Sequence, residues 1–181
     1  EKLFPYICNN NYEKGKSNIY YSGPYWDERE VTAAITTLLT GKWLPSGEEV
    51  NKFERQFSKK FGFEHSVMVN SGSSANLVMF AALKKHFGWQ DGDEIIVCAC
   101  GFATTVAPIV QNGLKPVFVD VEADTFTMNI DSVKKAITSK TKAIIPVHLY
   151  GQSVDMAPLL ALAKEHNIPV VEDNAQAIGG S

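Results

Sequence analysis

The sequence predicts an α/β protein, with three α/β/α layers around a mostly parallel sheet. Two patterns predict it. Short apolar runs near 66–69, 94–98, 116–119, 142–147 and 168–171 alternate with helical stretches at about 73–87, 104–112, 130–137 and 155–166. That alternation means βαβ crossovers and parallel strands. Ile168-Pro169-Val170-Val171 is also continuously apolar, as a strand covered on both faces is. Right-handed crossovers then lay the helices on the two sheet faces.

The elements follow in order. Residues 1–21, with Asn9-Asn10-Asn11 and no sustained period, read as an extended arm, which runs on to residue 26. One domain is expected over 27–181, led by two helices within 27–61. Asp27 caps the first, where Val31, Ala34, Ile35, Leu38 and Leu39 recur at helical spacing before Gly41 stops it. Gly41-Lys42-Trp43-Leu44-Pro45-Ser46-Gly47 is a turn-rich connector. The second, from about Glu48 to Phe61, carries Val50, Phe53, Phe57 and Phe61 along one side. The strand–helix alternation then takes over, and Asp155 caps its last helix.

Composition excludes several functions. The 181 residues carry a net charge of −3, with 45% hydrophobic and 20% charged residues. That balance gives no electrostatic case for nucleic acid or an anionic membrane as partner. No apolar run approaches the ~20 residues that span a bilayer. The N-terminus has no signal-peptide core, and without an initiator Met it is expected to be trimmed. Cys8, Cys98 and Cys100 are odd in number and form no secreted disulfide framework, so the cytoplasm is the expected compartment. Cys98 and Cys100 point to one face, either as buried thiols or as half a metal site. No second Cys/His pair completes such a site, so no metal is expected.

Chemistry gathers just after the strands. Asn70-Ser71-Gly72-Ser73-Ser74-Ala75 follows one apolar run and opens a helix. Gly72 permits close backbone approach, and the hydroxyls of Ser73 and Ser74 with the first helical amides suit phosphate oxygens. Equally, Ser73 or Ser74 simply caps the helix. The segment has neither a Walker Gly-Lys-Ser/Thr ending nor Gly-x-Gly-x-x-Gly, which disfavours ATP and NAD. Phe102 stands at the next strand end, either stacking on a flat ring or filling the core, and Thr104 and Thr105 start the following helix. Asp173, past Ile168-Pro169-Val170-Val171, either caps a loop or pairs with a cationic ring nitrogen; Gln176 then reaches a ring oxygen. An anion site and a ring-nitrogen site together point to pyridoxal 5'-phosphate (PLP). His148 is either an acid–base group or a hydrogen-bonded structural residue. Trp43 either covers a substrate or packs on the sheet.

In this order the segments resemble the DegT/DnrJ/EryC1/StrS sugar aminotransferases, a family of fold-type I PLP enzymes. The resemblance runs from about Ser22 to Ser181. It rests on Ser22-Gly23-Pro24, Gly41–Gly47, Val69–Ala75, Gly113-Leu114-Lys115-Pro116-Val117-Phe118-Val119-Asp120, His148–Gln152 and Glu172-Asp173-Asn174-Ala175-Gln176-Ala177. It implies the large PLP-binding domain, truncated at its C-terminus. Gly72, Ser73 and Ser74 would hold phosphate, Phe102 would stack on the ring, Asp173 would pair with the pyridine nitrogen and Gln176 would contact the ring oxygen. It also implies a nucleotide-linked keto sugar as substrate, glutamate as amino donor, and a homodimer. The aromatic arm (Phe4, Tyr6, Tyr20, Tyr21) and the Trp43 connector offer apolar surface for that dimer. The family's Schiff-base lysine follows the Asp-x-x-Gln segment and is expected beyond Ser181, so this chain alone is expected to be inactive. Asn70–Leu77 also resembles the 3-dehydratase branch, whereas Gln152 and Gln176 fit the aminotransferases. A non-catalytic PLP-fold binding or regulatory protein is the third reading.

Overall fold

The computed structural model describes residues 13–17, 27–43 and 46–180. Helix α1 (Glu28–Thr40) begins at Asp27, whose carboxylate accepts from the Arg29 amide at 2.8 Å. Reciprocally, Glu30 accepts from the Asp27 N–H at 2.6 Å, completing a capping box. The helix ends at Gly41, which donates its N–H to the Thr37 carbonyl at 2.8 Å. A Cβ on Gly41 would lie 2.5 Å from that oxygen, so close approach demands glycine here. In helix α2 (Glu48–Phe61) the expected aromatic row forms. Ring centroids are 5.6 Å apart for Phe53–Phe57 and 4.6 Å for Phe57–Phe61, and Phe63 joins at 6.1 Å from Phe57.

The chain divides into two compact units between Val67 and Met68. Helices α1 and α2 of the first unit contain no buried residue.

The second unit is the α/β part. It runs α3 (Gly72–Phe87), β1 (Glu94–Cys98), α4 (Ala103–Gln111), β2 (Lys115–Val119), α5 (Ile130–Ala136), β3 (Thr141–Ile145), a 3-10 turn (Leu149–Gly151) and α6 (Met156–Glu165). Among the described residues the sheet has three parallel strands in the order β2-β1-β3. Glu94 aligns with Lys115 and Thr141, and Val97 with Phe118 and Ile145.

Two expected strands are corrected. The 168–171 run makes a single isolated parallel bridge, Ile144 to Val170, and Asp173 just beyond it makes another, to Val147. It follows β3 in the direction of a fourth strand, but Pro169 has no N–H to give to a ladder. The 66–69 run forms no ladder with any described segment, and Val67 stays exposed. Apolar sequence alone does not make a strand.

The core explains the layers. Successive side chains of a strand face opposite ways. Ile95 and Val97 of β1 pack with Phe80 of α3, Ile109 of α4, and Ala143 and Ile145 of β3. Ile96 and Cys98 face the other layer, with Val133 of α5, Leu159 and Leu162 of α6, and Ile144 of β3. The path β1–α4–β2 steps one way along the sheet over the first face. The path β2–α5–β3 steps back past β1 over the second face. Reversing direction and face together preserves one crossover hand.

At the amino edge, Glu94 accepts from Lys115 Nζ at 3.0 Å and from Thr138 Oγ1 at 2.6 Å. These contacts, Thr138 first, hold its carboxyl below the usual carboxylate range. The folded state therefore releases this proton more readily than the unfolded chain. Its stabilisation is present above the unfolded pKa and is lost as pH falls through the lower, folded one. Thermal melts of wild type and Glu94→Gln are expected to differ most near neutrality and to converge in strong acid. Phe80 is fully buried, and Phe80→Ala is expected to lower unfolding free energy by ~3–5 kcal/mol in urea titration.

Candidate functional site

The strand order reverses at β1. The chain leaves β1 toward α4 on one face, and leaves β3 toward α6 on the other. In open α/β sheets the crevice outside the carboxyl ends at such a point receives ligands. The segments after β1 and β3 meet there with the 170–176 segment.

Asp173 is fixed first by its backbone. Its N–H donates to the Pro146 carbonyl at 2.9 Å, and its own carbonyl accepts from the His148 N–H at 3.1 Å. The half-buried carboxylate is held from three directions. Oδ2 accepts from Thr105 Oγ1 at 2.7 Å and from Asn76 Nδ2 at 3.3 Å, while Oδ1 accepts from the Ala175 N–H at 3.3 Å. The loop-capping reading accounts for the Ala175 contact alone. The other two donors come from the second turn of α3 and the first turn of α4, whose N-terminal dipoles favour negative charge.

Asn76 is one turn along from Gly72, so these contacts also bring Gly72, Ser73 and Ser74 to the edge that carries Asp173. Ser71, rather than Ser73 or Ser74, caps α3, accepting from the Ser74 N–H at 3.2 Å. That leaves the amides of Gly72 and Ser73 without an acceptor inside the helix, pointing outward as first-turn amides do. Ser73 is exposed and Ser74 half-buried. A Cβ on Gly72 would meet nothing within 4 Å, so packing does not require the glycine, and the space above it is open.

Phe102 directly precedes α4 and its carbonyl accepts from the Thr105 N–H at 3.0 Å. It is 69% exposed, which rules out the core reading and leaves a ring face open at this edge. Gln176 offers its Oε1 to the Tyr150 N–H at 2.8 Å, so its amide group is anchored by the oxygen with its N–H donors turned elsewhere. Tyr150 has φ of 55°, an uncommon conformation for so large a side chain, and Gln176 braces it.

His148 has the contacts of the hydrogen-bonded, structural reading. It is 3% exposed and both ring nitrogens are engaged. Nδ1 accepts from the Val154 N–H at 3.0 Å, so Nε2 carries the proton and meets Glu172 Oε2 at 3.0 Å. It is a structural residue holding the turn after β3. Trp43 is 70% exposed and belongs to the first unit. Cys98 is in the core and Cys100 packs against the same cluster, as same-face thiols should. Burial pushes the Cys98 thiol upward. Among the described residues no three His, Cys, Asp or Glu side chains are grouped to hold a metal ion. Phe4, Tyr6, Tyr20, Tyr21, Ser22–Pro24 and Leu44-Pro45 lie outside the described residues.

An open groove of about 1020 Å³ lies at the amino edge, lined by residues such as Trp89, Asp93, Lys142 and Asn167. It is at the far end of the strands from Asp173, and size alone does not make it the chemical site.

Asn76 and Thr105 had no assigned role beside Asp173 in the sequence analysis. A signal existed: Asn76 is the one polar residue between Ala75 and Leu83 of α3. Pro108 stands four residues after Thr104 inside α4 and leaves that carbonyl without its helical donor. Asn76 Nδ2 donates to Thr104 O at 3.2 Å.

Comparison with known proteins places this arrangement. Residues 26–181 match the DegT/DnrJ/EryC1/StrS aminotransferase family. The chain is 40% identical over 156 residues to a GDP-4-keto-6-deoxy-D-mannose 3-dehydratase of Yersinia pseudotuberculosis, covering 85% of this chain and 39% of that protein. The solved E. coli GDP-4-keto-6-deoxy-D-mannose-3-dehydratase with bound hydrated PLP superposes with a TM-score of 0.80 at 40% identity, over 87% of this chain and 41% of that one. An aminotransferase from Psychrobacter cryohalolentis gives a TM-score of 0.78 at 32% identity, over 88% and 40% respectively. The chain thus spans about two fifths of the length of these relatives. The fold is the incomplete α/β domain of the fold-type I PLP enzymes, and the chain belongs to the DegT/DnrJ/EryC1/StrS aminotransferase family.

Proposed function

We propose that this chain forms the PLP-binding part of an enzyme acting on a nucleotide-linked keto sugar. The observation that carries the reading is the Asp173 carboxylate, fixed between the N-terminal turns of α3 and α4 beside open space over Gly72. PLP, when bound, supplies an electron sink through its protonated ring nitrogen.

The residues fit that group. The first-turn amides at Gly72 and Ser73, with the hydroxyls of Ser73 and Ser74, bind the phosphate, aided by the helix dipole. Phe102 covers one face of the ring. Asp173 keeps the ring nitrogen protonated, because a carboxylate beside it favours the charged form. Gln176, its Oε1 held by Tyr150, donates from Nε2 to the ring oxygen.

Amino transfer from glutamate is the first reading of the reaction, in keeping with the family and with Gln152 and Gln176. Removal of the 3-hydroxyl is the second. It is favoured by the Asn70–Leu77 segment and by 40% identity to 3-dehydratases, against 32% to the Psychrobacter aminotransferase. Both reactions start from the same bound cofactor. We also propose a cytoplasmic homodimer, supported by exposed apolar side chains such as Leu77, Val78 and Phe102. Among the described residues no helix is long and apolar enough to cross a membrane. Trp43 covering the substrate stays part of the proposal.

Binding tests the reading on the chain itself. PLP is expected to bind reversibly, and Asp173→Asn to weaken it by about 10- to 100-fold, the worth of one charge-assisted hydrogen bond. Equal affinity in calorimetry would remove the Asp173 role. Borohydride treatment with PLP is expected to leave no stoichiometric adduct on one lysine, and amino transfer from glutamate to be undetectable. One specific adduct within residues 1–181 would show that the reactive lysine is here.

A further inference from the structure

We infer that Asn76 and Thr105 are positioning residues that select which oxygen of Asp173 faces the ring nitrogen; this rests on the PLP reading above. A carboxylate oxygen offers two lone-pair sites. Oδ2 already accepts two side-chain donors, Thr105 Oγ1 at 2.7 Å and Asn76 Nδ2 at 3.3 Å, and is full. Oδ1 accepts one backbone donor, the Ala175 N–H at 3.3 Å, and keeps one site. A pyridinium N–H is therefore received by Oδ1.

Asn76 is held in this task by Pro108. The ring of Pro108 removes the N–H that would bond Thr104 O within α4. Asn76 Nδ2 supplies that bond at 3.2 Å, leaving its second amide hydrogen for Asp173. One side chain thus completes the α4 backbone and orients the carboxylate. Because it projects from the first turns of α3, it also ties the phosphate-binding turn to the ring-nitrogen partner. Thr105 is 2% exposed, so no water competes for its hydroxyl.

The test compares two ligands on the full chain: PLP, and the PLP analogue with carbon in place of the ring nitrogen. A positioning role concerns only the contact to that nitrogen. Thr105→Val and Asn76→Leu are each expected to weaken PLP about tenfold while leaving affinity for the analogue within about twofold. Thr105→Ser, which keeps the hydroxyl, is expected to restore PLP affinity. Thermal melts in parallel report folding, and Thr105→Ala and Asn76→Ser, which remove the hydroxyl and the amide donors respectively, serve if the larger changes unfold the chain. Equal losses for both ligands would make the two residues structural and overturn the inference, as would no loss for either. If Asp173→Asn itself leaves PLP affinity unchanged, the Asp173 role falls and the inference with it. If Asp173→Asn weakens PLP and the Asn76 and Thr105 variants do not, only the positioning role falls.

Discussion

Strand β1 is buried on both faces, and each of its side chains must suit one of two separate layers. Ile95 and Val97 serve the α3–α4 side, while Ile96 and Cys98 serve the α5–α6 side. A slip of one residue would exchange these sets. Because β1 is central, its two neighbours are reached over opposite faces, and the loops leaving β1 and β3 diverge above it. The crevice between them is a consequence of covering one strand twice.

That crevice gathers groups from distant parts of the sequence. Asn76, Thr105 and Asp173 are brought to one carboxylate by helix starts and a strand exit. Helix N-termini contribute partial positive charge there without any lysine or arginine among the contacts to Asp173. A site of this kind is preorganised for anions at two points, one in the protein and one in a ligand.

Much of this was legible in the residues. Apolar runs bounded by Gly, Asp and Asn located β1 and α2 with their observed limits, and Asp27 and Asp155 marked helix starts that the structure retains. Phe102 stands just after β1, whereas Gly72 and Asp173 stand after apolar runs that form no ladder. What sequence could not give was pairing. Residues 66–69 are apolar enough for a strand and form none among the described residues, and 168–171 is reduced to a single bridge. Side-chain partners were equally hidden. His148 read either as an acid–base group or as a structural residue because its ring is versatile, and only the Val154 N–H and Glu172 show that both nitrogens are taken.

Pro108 carries a consequence for how the sequence can drift. While proline stands there, Thr104 O draws on Asn76, and the amide of Asn76 is locked in one orientation. A residue with its own N–H at 108 would close the α4 bond internally and set that amide free to rotate. Changes at 76 and 108 are therefore epistatic: either one alters the effect of the other, although the two lie on different helices. Pairs of this sort should co-vary among relatives even where neither residue touches a ligand.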